Sequence, residues 1–297
     1  MNNLPFYLVD AFADKPFGGN AAGVVPDAET LDEGVMQKIA RELHQSETAF
    51  LMKSDNPAAD FRVRYFTPAE EINFCGHATV GAAWLLAQEF GWRAERVVLE
   101  TNIGLVPVTF DKADGALKSV TMTQVAPRTK EIPVDRDEIA RLVGIAPTDL
   151  DDRYPIRLAH TGNWHLLVPV KTRQAIDSAQ PLLAELGAMN RSLEASTTHL
   201  FSFDTGDDAY DLYTRDFCPA IGIPEDPVTG AANGALAGYL VLERILPPDQ
   251  PHALTIAQGH AIGRPGTLSV KVTPGPNGPV IQVGGAARVM ACGNLRI

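Results

Sequence analysis

Cys75, Gly76 and His77 stand in a row in FCGHATVGAAW, where a charged, extended run ends and an apolar one begins. A thiol and an imidazole at the mouth of an apolar helix can attack, or move a proton. The N–H groups of that helix end bind carboxylate or phosphate without a basic side chain. EDPVTGAANG offers a second such mouth, Gly230-Ala231-Ala232, with Asp226 four residues before Gly230. Glu47, in HQSETAFL, sits where an amphipathic helix gives way to an apolar strand. Each feature has a plainer reading when taken alone. The glycines serve tight turns, Glu47 is a solvated turn residue, Asp before Pro marks a turn, and Cys75 is a small buried hydrophobe.

Short strands dominate what must position these groups. PFYLVDAF, TAFLM, DFRVRYF, RVVLE, GLVPVTF, HLLVPV, HLFSFD, TLSVKVT and their like are bounded by Gly, Pro, Asp or Asn. In DFRVRYF, Phe61, Val63 and Tyr65 alternate with Arg62 and Arg64. Three amphipathic helices belong on the outside. One runs from Thr30 to His44 with a Thr30/Glu33 capping box, one from Asp135 to Val143 with Gly144 as C-cap, and one from about Ser178 to Met189. Two others, His77–Phe90 and Ala231–Leu242, are apolar or small all round and belong inside.

Arg64-x-Phe66-x-Pro68-Ala69 recurs as Arg215-x-Phe217-x-Pro219-Ala220, each followed by a loop, a glycine and a wholly apolar helix. The repeat predicts an α+β fold of two pseudo-symmetric halves. Each is a curved, mostly antiparallel sheet or barrel around a central apolar helix. The halves are expected at 1–125, completed by a C-terminal strand at about 284–297, and at 126–283. Halves that face each other would hold a small acid between the two helix N-termini.

The net charge of -11, with no Lys/Arg cluster, argues against nucleic-acid or anionic-membrane partners. Cys75, Cys218 and Cys292 are far apart and odd in number, which indicates a reducing compartment and no disulfide framework or zinc cluster. Cys218 and Cys292 read as inert core residues. His44 lies near Glu47 but suits a helix C-terminus. His160, His165, His199, His252 and His260 lack ligand spacing and receive no role. No signal peptide or membrane-spanning run is evident, so a cytoplasmic protein is expected.

SETAF, CGHATVGAA, EDPVTGAANG and GHAIGRPG, in this order and with VDAF, GGNAAGVV and GGAARVMACG at the ends, resemble the phenazine-biosynthesis PhzF-like isomerase family. The resemblance spans essentially the whole chain. It implies the diaminopimelate-epimerase-like fold, a homodimer, no metal and no organic cofactor. It also implies acid-base catalysis by Glu47, as in an isomerase that moves a proton within a dihydro-hydroxyanthranilate ring, with His77 and Asp226 assisting. Ser46, Gly76, Ala78, Thr79, Thr229, Gly230 and Ala231 would contact the substrate. A partly desolvated carboxylate can both take and return a proton, and burial is expected to raise the Glu47 pKa toward neutrality.

Two departures stand out. Ala231 occupies the place of a serine in the characterised isomerase, so only backbone N–H remains there. Racemases and epimerases of this fold place a cysteine before each central-helix glycine, but here the pair is Cys75 and Thr229. A cysteine/threonine pair resembles the proline-derivative dehydratases. A Cys75-dependent epimerase or dehydratase is therefore the alternative, and a non-catalytic small-acid binding protein is the third reading.

Overall fold

The computed structural model describes residues 3–133 and 135–297. One compact unit comprises the chain up to Thr123 together with Gly284–Ile297, and the other is Gln124–Val283. Among the described residues, no helix is long and apolar enough to cross a membrane.

The first unit contains β1 (Asn3–Ala11), β2 (Asn20–Val25), α1 (Glu33–Leu43), β3 (Glu47–Met52), β4 (Phe61–Phe66), β5 (Glu71–Ile72), α2 (Gly76–Gln88), β6 (Arg96–Thr101), β7 (Gly104–Ala113) and β8 (Ala116–Thr123). From β1 through β2, β3, β4 and β6 to β7 the pairings run antiparallel, parallel, antiparallel, parallel, antiparallel. β8 extends this edge, and the chain's final strand, Ala287–Arg296, returns to pair with β1.

The second unit has β9 (Arg128–Lys130), α3 (Arg136–Val143), β10 (Arg157–His160), β11 (Trp164–Pro169), α4 (Arg173–Ser178), α5 (Leu183–Ser192), β12 (Thr197–Ser202), β13 (Leu212–Phe217), β14 (Glu225–Asp226), α6 (Gly230–Leu242), β15 (His252–Gln258) and β16 (Gly266–Thr273). β10, β11, β12, β13, β15 and β16 repeat the same alternation of antiparallel and parallel pairings. The short repeat in the sequence therefore marks a repeat of topology, and the fold is the α+β, epimerase-like one expected.

The repeated Arg-x-Phe has a physical purpose in both units. Arg64 donates Nε to Glu71 at 2.8 Å, and Arg215 donates Nε to Glu225 at 2.9 Å, each in a two-pronged pair. Each guanidinium also lies over the ring of the following Phe, 5.2 Å from Phe66 and 4.8 Å from Phe217. The arginine thus ties the short return strand, β5 or β14, to β4 or β13. That return strand leads directly to the mouth of the central helix.

Both central helices are wrapped by their own unit. Residues His77–Leu86 of α2 are all buried, as are eleven of the twelve from Gly230 to Val241 of α6, Ala231 being the half-buried exception at the mouth. Small residues on α6 let neighbours come close: a Cβ on Gly238 would stand 2.4 Å from Pro127 Cβ. Gly238→Ala is expected to destabilise the protein by about 1–3 kcal/mol through overpacking, read by chemical denaturation. An unchanged midpoint would mean that Pro127 yields freely.

The outer helices needed two corrections. α1 starts at Glu33, capped by Asp32, whose carboxylate accepts from Val35 N at 2.8 Å, so the Thr30/Glu33 box is not used. Asp32 is as good a cap and stands two residues further along the chain. The third helix is two pieces, α4 and α5, because Pro181 cannot continue a helix begun at Arg173. α3 has the expected start and ends on Gly144 at φ 74°.

Candidate active site

The first unit gathers Asn20, Ser46, Glu47, Cys75 and His77 around the N-terminus of α2. Glu47 opens β3 and lies opposite Ala22 of β2, two residues after Asn20 opens that strand. Parallel pairing thus brings three separate stretches to one helix mouth. His77 Nε2 is 3.1 Å from Glu47 Oε2 and 3.4 Å from Ser46 Oγ, and Asn20 Nδ2 is 3.3 Å from Nδ1. Cys75 Sγ lies 3.4 Å from His77 Nδ1. The Glu47 side chain is 20% exposed and that of His77 is 9% exposed, so the pair is dry but reachable.

Burial pushes the Glu47 carboxyl up, but His77, Ser46 and Cys75 outweigh it and hold Glu47 below the usual carboxylate range. Burial pulls His77 down, while Cys75 and Glu47 raise it, and the result is well above the ordinary histidine value. Burial and the Glu47 charge push the Cys75 thiol up. Near neutrality the charged neighbour of His77 is therefore Glu47, not a thiolate. This corrects the expectation for Glu47: the imidazole beside it wins over desolvation, and the resting state is a carboxylate–imidazolium pair.

Cys75 precedes α2 in extended conformation, and with the Ala78 N–H turned toward its sulfur the N–H groups of Gly76 and His77 are left for a ligand. A Cβ on Gly76 would meet nothing nearer than Met122 at 3.7 Å, so packing does not require glycine there. Thr79 lies behind the mouth. It is fully buried, its hydroxyl bonds Cys75 O and the Tyr65 hydroxyl, and its N–H returns to Cys75 O. Thr79 thus supports the mouth and presents nothing to a substrate.

The mouth of α6 is built differently. The Thr229 hydroxyl donates to Asp226 Oδ2 at 2.5 Å. Gln258, fully buried, accepts from Thr229 N at 3.1 Å and donates to Asp226 O at 2.9 Å. Asn233 donates to Thr229 O at 2.9 Å and to Gln258 Oε1 at 2.7 Å. These backbone partners fix both amides, so Asn233 Oδ1 faces His199 Nε2 at 3.3 Å, which must donate. The other nitrogen of His199 is 3.0 Å from Asp216 Oδ1. Burial pushes Asp216 up, but His199, His165 and Thr197 hold it below its ordinary value. His199 thus forms a buried pair with Asp216 and joins it to Asn233. Thr197, which donates to Asp216 at 2.7 Å, links the pair to His165, pushed down to about 4 by burial.

Sequence reasoning missed Asn20, Asn233, Gln258, His199, His165 and Asp216. For Gln258 a signal existed, since it precedes GHAIGRPG. Gly259 there has φ 83°, and a Cβ would stand 2.2 Å from Arg264 O and 2.7 Å from Pro227 O, so that motif braces the loop carrying Asp226. Ala231 is half-buried, and its carbonyl accepts from Thr161 Oγ1 at 3.0 Å. Cys218 is buried as expected, but Cys292 is exposed, because it lies on the final strand rather than in the core. His44 is the exposed, left-handed C-cap of α1, as a helix C-terminal histidine suits.

The chain matches the family described as phenazine biosynthesis-like protein, PhzC-PhzF, over residues 9–293. It is 39% identical over 290 residues to the uncharacterized isomerase YddE of Escherichia coli O157:H7, covering 96% of this chain and 95% of that one. It is 32% identical over 267 residues to the trans-2,3-dihydro-3-hydroxyanthranilate isomerase of Pseudomonas fluorescens, covering 90% and 89%. The crystal structure of a Bacillus anthracis phenazine biosynthesis protein of the PhzF family superposes over both full chains with a TM-score of 0.92 at 32% identity. A hydroxyproline epimerase from Agrobacterium vitis shares the fold, at TM-score 0.64 and 16% identity, over 99% of this chain and 91% of that one. With its motifs, its duplicated topology and these relatives in agreement, the chain belongs to the PhzC-PhzF family and is a PhzF-like isomerase.

Proposed function

We propose that the protein moves a proton on a small cyclic or amino carboxylic acid, without a cofactor, using Glu47 as general acid and base. The observation that carries this reading is the Glu47–His77 pair, 3.1 Å apart and mostly desolvated at the mouth of α2. Glu47 rests as a carboxylate, ready to take a proton from carbon. Once it does, the ion pair is gone and the charge on His77 is free to face the negative charge developing on the substrate. The Glu47 carboxylic acid then delivers the proton to another carbon of the same unsaturated system, and the double bond has moved. First-turn N–H groups of α2 hold the substrate carboxylate, with Ser46 alongside.

Within the second unit, Gln258 and Asn233 hold Asp226 and Thr229 in place at the mouth of α6, where Ala231 offers only its backbone. The substrate of the P. fluorescens relative, trans-2,3-dihydro-3-hydroxyanthranilate, is the first probe to try. Deuterium incorporation from solvent into that probe, present in the wild type and lost in Glu47→Gln, tests the assignment. Binding without exchange for any acid tried would instead favour a non-catalytic binder.

The second reading makes Cys75 the base of an epimerase or dehydratase, favoured by its 3.4 Å approach to His77. Against it, the thiol is pushed up and Thr229 offers no second thiol. Cys75→Ala is therefore expected to keep its exchange rate within about tenfold of wild type, a barrier change of about 1.4 kcal/mol. A complete loss, with Glu47→Gln only weakened, would transfer the chemistry to the thiol.

A further inference from the structure

We propose that Glu47, Cys75 and His77 form an inhibitory site for a thiophilic divalent cation of the zinc class. They are the one group of three such residues, among those described, whose carboxylate oxygen, sulfur and ring nitrogen all lie within 4.8 Å of one another. Taken through His77 Nε2, the separations are 3.1 Å to Glu47 Oε2 and 3.9 Å to Cys75 Sγ. Zinc bonds of about 2.0–2.3 Å place the edges of a tetrahedron at about 3.3–3.8 Å. The observed edges bracket that range, so small side-chain adjustments admit the ion.

The donor set points to the metal class. Oxygen-only cations such as magnesium or calcium have no use for a sulfur and an imidazole, whereas zinc and cobalt take this mixture readily. Three protein ligands leave a fourth position for water or an anion. Glu47 Oε2 is buried, and its single close approach to His77 Nε2 leaves a lone pair for a cation once that nitrogen turns to the metal. Asn20 stands 3.3 Å from His77 Nδ1 and would hold the ring as an outer-shell partner. Cys75 binds as a thiolate and His77 as a neutral imidazole, so the thiol proton and the His77 Nε2 proton both pass to solvent. The ion then occupies both the carboxylate and the imidazole. It blocks turnover if the proposed role of Glu47 is right, but its binding does not depend on that role.

Cobalt(II) titration of the reduced Cys292→Ser protein tests the site, since Cys292 is the exposed competing thiol. The expected result is one cobalt per chain, a thiolate-to-cobalt charge-transfer absorption, and displacement by zinc. Cys75→Ala on that background should abolish the absorption, and Glu47→Gln should weaken cobalt binding by at least about tenfold. Glu47→Gln serves alone if Cys75→Ala does not fold. No absorption at saturating cobalt, an absorption that survives Cys75→Ala, or unchanged affinity in Glu47→Gln each overturns the proposal. Because no substrate enters this measurement, its failure leaves the isomerase reading standing, and failure of the exchange assay leaves the metal site standing.

Discussion

Glu47→Gln should lower solvent-deuterium incorporation into the substrate by about 10²–10⁴-fold, the usual worth of a general acid or base. Glutamine keeps the shape and the reach but cannot accept a proton from carbon. The protein should still fold, because Glu47 sits at a strand start with its side chain 20% exposed rather than deep in the core. The same pair sets the pH dependence. Glu47 is held below the usual carboxylate range, so the acid limb should fall below the ordinary carboxylate pKa of about 4. His77 is raised well above the usual imidazole value, so the alkaline limb should appear only where it finally loses its proton. Activity should therefore be level through neutrality. Full exchange in Glu47→Gln, or an acid limb near pH 6 to 7 by the ordinary histidine value of about 6.5, would be incompatible with this assignment.

Asp216→Asn is the second large effect, and it falls on stability. Asp216 and His199 are both fully buried, and an amide in place of the carboxylate removes the charged acceptor shared by the His199 ring and the Thr197 hydroxyl. Two buried hydrogen bonds to a charged group are worth about 3–6 kcal/mol. Calorimetry should show a fall of roughly 10 °C in Tm at about 2–4 °C per kcal/mol for a unit of this size. The double variant His199→Gln/Asp216→Asn should recover part of that loss, since two amides can pair with each other. The sign with pH follows from the depressed Asp216 pKa. Its contribution is complete above the unfolded value of about 3.9 and is lost as pH falls through the lower folded value. A single variant within about 0.5 kcal/mol of wild type would mean that the carboxylate contributes nothing through these contacts.

Much of the fold could be read from residues close together in the chain. Gly76 and Gly230 each open an apolar helix as their surroundings suggested, and Arg64 and Arg215 announced the duplication. Motifs are local, and so are helix caps and apolar runs. The network behind the α6 mouth is not local. His199 and Asp216 meet because they face each other across β12 and β13, and Gln258 arrives from β15, over 40 residues beyond Asp216. No spacing rule announces a partner set by strand register. The Glu47 pKa failed for a related reason: burial could be guessed from its position, but its sign was decided by an imidazole thirty residues away. Where two local signals competed, as with Thr30 and Asp32, only packing of the stripe could choose.

The final strand, Ala287–Arg296, lies against β1 along its whole length, from Asn3 opposite Arg296 to Ala11 opposite Ala287. The first unit to leave the ribosome is therefore the last to be finished. β10 to β16 of the second unit pair with one another and can settle while synthesis continues, but β1 must wait with one edge open for nearly the entire translation time. Closing so distant a pair makes this step slow relative to local contacts. A nascent chain stalled before Ala287 should thus protect its second half from proteolysis while the Glu47 half remains open to attack.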